Sequence, residues 1–153
     1  MIKEINKNDL KQALSLVNDV FSEFVVVDYS EQGKNTFKNY LDKKDEEVFS
    51  DLESGHKKMW GYFHDDKIIG VIATKDFSHI ALMFVDKHHH RKGIAKKLFN
   101  IVLEELCDKQ NAAQITVNSS LYAIAAYECL GFVKMGEQQE KDGIIYMPMK
   151  YHL

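Results

Sequence analysis

Val85-Asp86-Lys87-His88-His89-His90-Arg91-Lys92-Gly93-Ile94-Ala95-Lys96-Lys97-Leu98 takes the end of an apolar strand into a basic loop, and a glycine then opens an amphipathic helix. The first amides of a helix have no intrahelical acceptor, and with the aligned peptide dipoles they act like about half a positive charge. A diphosphate satisfies such a terminus. Gly93 lets the backbone approach the anion closely, Ala95 keeps the next turn slim, and Arg91, Lys92 and Lys96 add cations at the rim. The familiar nucleotide fingerprints fit less well, because no glycine stands two or five residues after Gly93 and no Gly-Lys-Ser/Thr run follows.

Outward from this turn, Ile94, Ala95, Leu98, Ile101, Val102 and Leu106 mark one face of a long helix, and Gln114 to Asn118 reads as the next strand. Upstream, Met59 to His64, Lys67 to Thr74 and His79 to Asp86 read as three strands, with Asp65-Asp66 as a tight turn. Connections this short make an antiparallel meander, whereas the strand–helix–strand crossover demands a parallel pair. Ile2 and Ile5 suit a short opening strand, and Leu10, Ala13, Leu14, Val17, Phe21 and Phe24 then recur at helical spacing behind Asn6 or Asn8 as cap. Ser30 caps a second helix through Phe37, Tyr40 and Leu41, so that two helices form a flap, followed by an acidic stretch from Asp42 to Glu53 that Gly55 ends. Downstream, a short helix runs to Leu130 and closes on a left-handed Gly131, with Phe132 folding back. Strands Val133 to Gln138 and Ile144 to Tyr151, joined at Lys141-Asp142-Gly143, complete the chain, with Pro148 placing the last one at an edge or a bulge. The expectation is an α/β fold: one domain over residues 1–153 with a mixed, mostly antiparallel twisted sheet of about seven strands and four or five helices.

A formal charge of −3 with no unopposed cluster of lysines and arginines offers no footprint for nucleic acid. The longest apolar runs, Ile68 to Ala73 and Ile80 to Val85, are too short for a bilayer, and the first residues lack a signal-peptide pattern, so a cytoplasmic protein is expected. Cys107 and Cys129 fall within apolar helical patterns and read as buried free thiols. Adjacent loop residues rarely converge on one ion, so His88, His89 and His90 are not taken as metal ligands and no metal is expected.

Two motifs carry a resemblance. His90-Arg91-Lys92-Gly93-Ile94-Ala95 resembles the acetyl-CoA-binding motif Gln/Arg-x-x-Gly-x-Gly/Ala of the GNAT superfamily, departing from it at His90. Asn118, Ala123 and Tyr127-Glu128-Cys129-Leu130-Gly131-Phe132 resemble that superfamily's Asn…Ala…Tyr-x-x-x-Gly-Phe segment. The order of elements is similar over essentially the whole chain, as in a small single-domain bacterial-like member. The resemblance implies an acetyl-CoA-dependent N-acetyltransferase whose sheet opens between its fourth and fifth strands to admit the cosubstrate. It further implies that main-chain groups of Phe84 and Val85 pair with the pantetheine arm, that amides from Arg91 to Lys96 hold the diphosphate, and that Asn118 touches the cosubstrate from the next strand.

The chemistry asks for two proton-handling groups. A lysine-like amine is only about one part in two thousand neutral at pH 7, so a base or a water wire is needed, and the departing thiolate benefits from a proton donor. By resemblance Tyr127 is the acid; Tyr122, five residues earlier, lies roughly 140° away around a helix and competes for that place. Ile80 to Val85 holds no ionisable side chain, which leaves His79 as the nearest base; it falls where relatives carry a glutamate, or a histidine that works through water. Asp45-Glu46-Glu47 with Asp51 and Glu53 reads as a solvated helix face, and Trp60, Tyr62 and Phe63 as sheet core. The acceptor, a small-molecule or peptide amine, meets the flap and the loop near Gln139 to Gly143, and the chain is a monomer or homodimer. A non-catalytic acyl-CoA-binding or regulatory module is the alternative.

Overall fold

The computed structural model describes residues 1–42, 45–76, 78–109 and 113–153, with the side chains of 45, 46, 49 and 107–109 outside that description. Five α-helices flank one sheet: α1 (Lys7–Val20), α2 (Glu31–Leu41), α3 (Asp45–Glu53), α4 (Ile94–Lys109) and α5 (Ile124–Leu130). The strands are β1 (Ile2–Glu4), β2 (Lys57–His64), β3 (Lys67–Lys75), β4 (His79–Val85), β5 (Gln114–Ser119), β6 (Val133–Lys134), β7 (Gln139–Lys141) and β8 (Ile144–His152). Their spatial order is β1-β2-β3-β4-β5-β8-β6, with β7 also on β8, and among the described residues only β4 and β5 run parallel.

Local signals place most of these elements. Asn6 caps α1 by accepting from the Asp9 amide, and Ser30 caps α2 by accepting from Gly33. Asp65 and Asp66 both take positive φ, at 49° and 64°, which is the backbone of a two-residue hairpin between β2 and β3. Gly131 ends α5 at φ 108°, and the Phe132 amide returns to the Tyr127 carbonyl at 3.0 Å. The acidic stretch forms a third flap helix, α3, whose Val48 and Leu52 pack inward while Asp51 pairs with Lys57 at 3.4 Å. The expected strand Val133 to Gln138 forms only at Val133–Lys134; the chain then passes Gly136 at φ 150°, and β7 lies beyond the expected bounds at Gln139–Lys141.

The position expected for Pro148 needs correction. It is not on an edge, for β8 lies between β5 and β6. Its carbonyl accepts from Met135 at 2.9 Å, so its missing N–H faces the side where β6 has ended and β7 has not begun. The interruption absorbs the absent donor. Cys129 is likewise exposed rather than buried, because it lies two residues, or about 200°, around α5 from the buried Tyr127; the Cys107 side chain lies outside the described ones.

Two apolar layers cover the sheet. On one face Leu98, Phe99, Val102 and Leu106 of α4 pack with Trp60, Ile72, Ile80, Ile115, Val117 and Tyr127. On the other, Leu10, Ala13 and Val17 of α1 pack with Met59, Phe63, Val71 and Leu82. The core reading of Trp60 and Phe63 holds, one on each face.

The flap is anchored at its far end by α2, where the Thr36 hydroxyl donates to the Asp142 carbonyl at 2.9 Å and that of Ser30 to the Gly143 carbonyl at 3.3 Å. A methyl on Gly33 would sit 2.1 Å from the Gly143 carbonyl oxygen, where only main chain meets main chain. Gly33→Ala should therefore cost about 1–3 kcal/mol through overpacking that no rotamer can relieve; urea unfolding would show a lowered midpoint, whereas Gly55→Ala, with open space around it, should lose only what its φ of 83° demands.

Candidate active site

The site begins where the sheet stops being a sheet. β4 and β5 pair only at His79↔Thr116 and Ile80↔Val117, with a Thr116 amide bond to the Ser78 carbonyl at 2.9 Å. One residue on, the register between β3 and β4 skips: Ala73 faces Leu82 and Thr74 faces Ile80, so Ala81 is a bulge. An extra residue bends its strand, and this one bends β4 away from β5 where their ladder ends. From Leu82 to Val85, β4 therefore has a partner on one side only.

Alternation then decides which main-chain groups face the opening. The Asp86 amide donates to the Ile69 carbonyl at 2.8 Å, so residues 86, 84 and 82 bond toward β3, and Val85 and Met83 present their amides and carbonyls to the gap. Phe84 is thus misassigned in the sequence reading: its main chain belongs to the β3 ladder opposite Val71. Met83 instead shares the open side with Val85. Neighbouring residues of a strand cannot both turn their main chain to the same side, and that rule was available without coordinates.

At the end of β4, Asp86 caps a short 3₁₀ turn, Lys87–His89, accepting from the His88 amide at 3.4 Å and meeting His89 Nδ1 at 3.2 Å. Partial burial works to raise this carboxyl, but the His88 amide and the His89 ring outweigh it and hold it below the usual range. Arg91 then takes φ 61° and Gly93 φ 77°, and a Cβ on Gly93 would meet nothing within 4 Å. Arg91, Lys92 and Lys96 are exposed, Ala95 is half-buried, and the Ile94 side chain roots the helix in the core at 5% exposure. The Lys97 amide reaches the Gly93 carbonyl at 3.1 Å, which leaves the preceding amides of this terminus without an intrahelical acceptor. The geometry fits a diphosphate: open space, left-handed loop backbone, free helix amides and cations on the rim.

The opposite lip belongs to β5. Asn118, exposed, follows the last residue paired with β4. The Ser120 hydroxyl accepts from the Ala123 amide at 3.2 Å and so turns the chain into α5, which buries Tyr127 at 4% exposure with its ring 5.3 Å from Phe132. Burial alone pushes the Tyr127 phenol far above its usual range, so it stays protonated at any working pH. Tyr122, by contrast, is 46% exposed.

His79 sits at the closed end of the gap, with Nδ1 2.8 Å from the Thr116 hydroxyl. Burial and then the neighbouring Lys75 charge lower its pKa, against a smaller opposing pull from Asp76, so the ring is neutral at pH 7 and able to accept a proton. No hydrogen bond joins it to Tyr127 among the described residues. The three consecutive histidines diverge: His89 turns to Asp86 and His90 to the Val85 carbonyl at 2.7 Å. Sequence periodicity also assigned Phe24 to the core face of α1; instead a π-helical turn, Phe21–Val25, keeps Phe21 buried and swings Phe24 out toward His90 and Tyr122.

Comparison with known proteins agrees with this architecture. Residues 25–153 match the family model described as an acetyltransferase (GNAT) domain. A GCN5-related N-acetyltransferase of Rhodopseudomonas palustris superposes with a TM-score of 0.82 at 18% identity, covering 100% of this chain and 95% of that one. The PaiA N-acetyltransferase of Thermoplasma acidophilum in complex with coenzyme A gives 0.76 at 16% identity, covering 100% and 98%. These likenesses concern the fold. UPF0157 protein YqkA of Bacillus subtilis (strain 168) is 26% identical over 103 residues, which are 65% of this chain and 30% of that protein's length.

The depressed His79 pKa has a measurable sign. The unfolded chain takes up this proton near pH 6.5, the folded chain only at lower pH, so stability from this group is complete above about 6.5 and lost as pH falls below it. Unfolding free energies at pH 7.5 and 5.5 should therefore differ less in His79→Gln than in the parent chain; an equal difference would mean that His79 titrates normally.

Proposed function

Since the chain belongs to the GNAT acetyltransferase family, we propose that it moves the acetyl group of acetyl-CoA to a primary amine, on a small molecule or a peptide, by direct transfer within one domain spanning residues 1–153. The observation that carries this reading is the gap beside β4, which sets main chain without a strand partner next to an open helix N-terminus. A ligand with amides along its arm and a diphosphate at its end matches both. The neighbour from Thermoplasma acidophilum, solved with coenzyme A, supports that choice of ligand.

In this reading Met83 and Val85 bond the pantetheine arm as an added strand would, and Asn118 meets it from β5. The amides from Arg91 to Lys96, with Ile94 and Ala95 between them, hold the diphosphate, helped by the Arg91, Lys92 and Lys96 charges. Acetyl-CoA supplies the thioester. His79, neutral at pH 7, takes a proton from the incoming ammonium directly or through water, and a main-chain amide at the bent end of β4 stabilises the carbonyl oxygen as it becomes anionic. The donor assigned to the departing sulfur is Tyr127, whose phenol is protonated at pH 7, although its burial makes it a weaker acid than a free tyrosine. No covalent intermediate on the protein and no metal is needed. No helix among the described residues is long and apolar enough to cross a membrane, and we place the protein in the cytoplasm.

The decisive measurement is thiol release from acetyl-CoA over a panel of amines, with mass spectrometry of the acetylated product. Tyr127→Phe keeps the ring and loses the proton; it should lower kcat by about 10²- to 10³-fold while CoA affinity, read by calorimetry, changes little. A parent chain that binds CoA but acetylates nothing would favour the non-catalytic module.

A further inference from the structure

Transfer as drawn above leaves three aromatic side chains at the mouth of the gap without a role. His90 stands where the cosubstrate motif ordinarily has Gln or Arg, and its Nε2 lies 2.7 Å from the Val85 carbonyl. A carbonyl only accepts, so that nitrogen carries the proton and donates. The same ring lies 5.7 Å from Phe24, and Phe24 stacks on Tyr122 at 5.1 Å with 18° between the planes. His90 belongs to the lip that follows β4, Tyr122 to the lip that follows β5, and Phe24 to the π turn of the flap. Phe24 thus spans the mouth from one lip to the other. A second tie joins the same two segments, for Lys87 of the loop pairs with Glu23 of the flap at 3.2 Å.

We propose that His90 is a positioning residue that braces the diphosphate loop on the Val85 carbonyl and, with Tyr122, holds Phe24 across the gap, so that the order of the flap follows occupancy of the loop. The proposal rests on the acetyl-CoA reading. Val85 presents its main chain to the gap, so the brace and the pantetheine arm meet at one residue; its carbonyl has two lone pairs and accepts both. A ligand that settles on Val85 and the loop therefore settles the His90 ring as well, and with it the ring face against which Phe24 rests. Glutamine could reproduce the donated hydrogen bond but not the aromatic face, and alanine reproduces neither. Those two substitutions separate the two functions of the residue.

The test uses the full chain with CoA as probe, following affinity by calorimetry and amide exchange over residues 21–30 and 86–95 by mass spectrometry. In the parent chain CoA should slow exchange in both segments. His90→Ala should weaken CoA by about five- to tenfold, the scale of one neutral hydrogen bond, and abolish the slowing over 21–30. His90→Gln should recover CoA affinity to within about twofold while the flap stays uncoupled, and Phe24→Ala should keep CoA affinity and also lose the flap response. Should His90→Ala fail to fold, as urea unfolding would reveal, His90→Gln and Phe24→Ala still decide the matter through the flap response. The proposal is overturned if CoA still slows exchange over 21–30 in Phe24→Ala, or if His90→Gln binds CoA no better than a folded His90→Ala. A parent chain that takes up no CoA would instead sink the acetyl-CoA reading, and the proposal with it.

Discussion

The ladder that β4 and β5 fail to complete is the constraint from which the rest of the site follows. Main-chain polar groups inside a protein need partners, and β4 beyond Ala81 has a neighbouring strand on one side alone, with the His90 ring meeting the Val85 carbonyl on the other. An open row of amides and carbonyls in the middle of a sheet is costly unless water or a ligand reaches it, so the fold is arranged to keep that row accessible. The bulge at Ala81 supplies the bend, α4 carries the chain over to β5 at a distance, and the flap lies above the opening. Burying the gap instead would leave those groups unsatisfied.

Burial shifts His79 and Tyr127 in opposite directions, because they are groups of opposite charge type. Desolvation disfavours whichever form is charged: it lowers His79, whose charged form is the acid, and raises Tyr127, whose charged form is the base. Both are consequently neutral at pH 7, and the same shifts make His79 a weaker base and Tyr127 a weaker acid than the free groups. The Lys75 charge reinforces the effect at His79.

Signals local in the chain were legible in the sequence, and those that depend on how strands meet were not. Asn6, Ser30, Asp65-Asp66 and Gly131 act over a few residues through caps and turns, and the structure uses each as read. The apolar repeat from Ile94 to Leu106 needs nothing beyond its own helix and a sheet to lie on. The bulge at Ala81 has no signature, since Ile80-Ala81-Leu82 is as good a regular strand as any, and the break after Lys134 depends on where β8 runs out of partners. Phe24 was misplaced because a period of 3.6 was carried through a π turn. Phe84 was an avoidable error, as alternation alone separates it from Val85.

The flap shows why selectivity is the hardest property to read from such a chain. It is held by unlike contacts: α2 rests on the turn between β7 and β8, main chain against main chain at Gly33 and Gly143, whereas the π turn is rooted by the buried Phe21 and Val25 and reaches the mouth of the gap through the Phe24 ring and one exposed ion pair. The first contact admits no adjustment, because neither backbone can move aside without breaking its own hydrogen bonds. The second is soft, since stacked rings slide at little cost and an exposed pair contributes at most about 1 kcal/mol. Under the proposed reading, the space beside the gap depends on where the Phe24 ring lies, a property carried by contacts between distant segments and by no single motif.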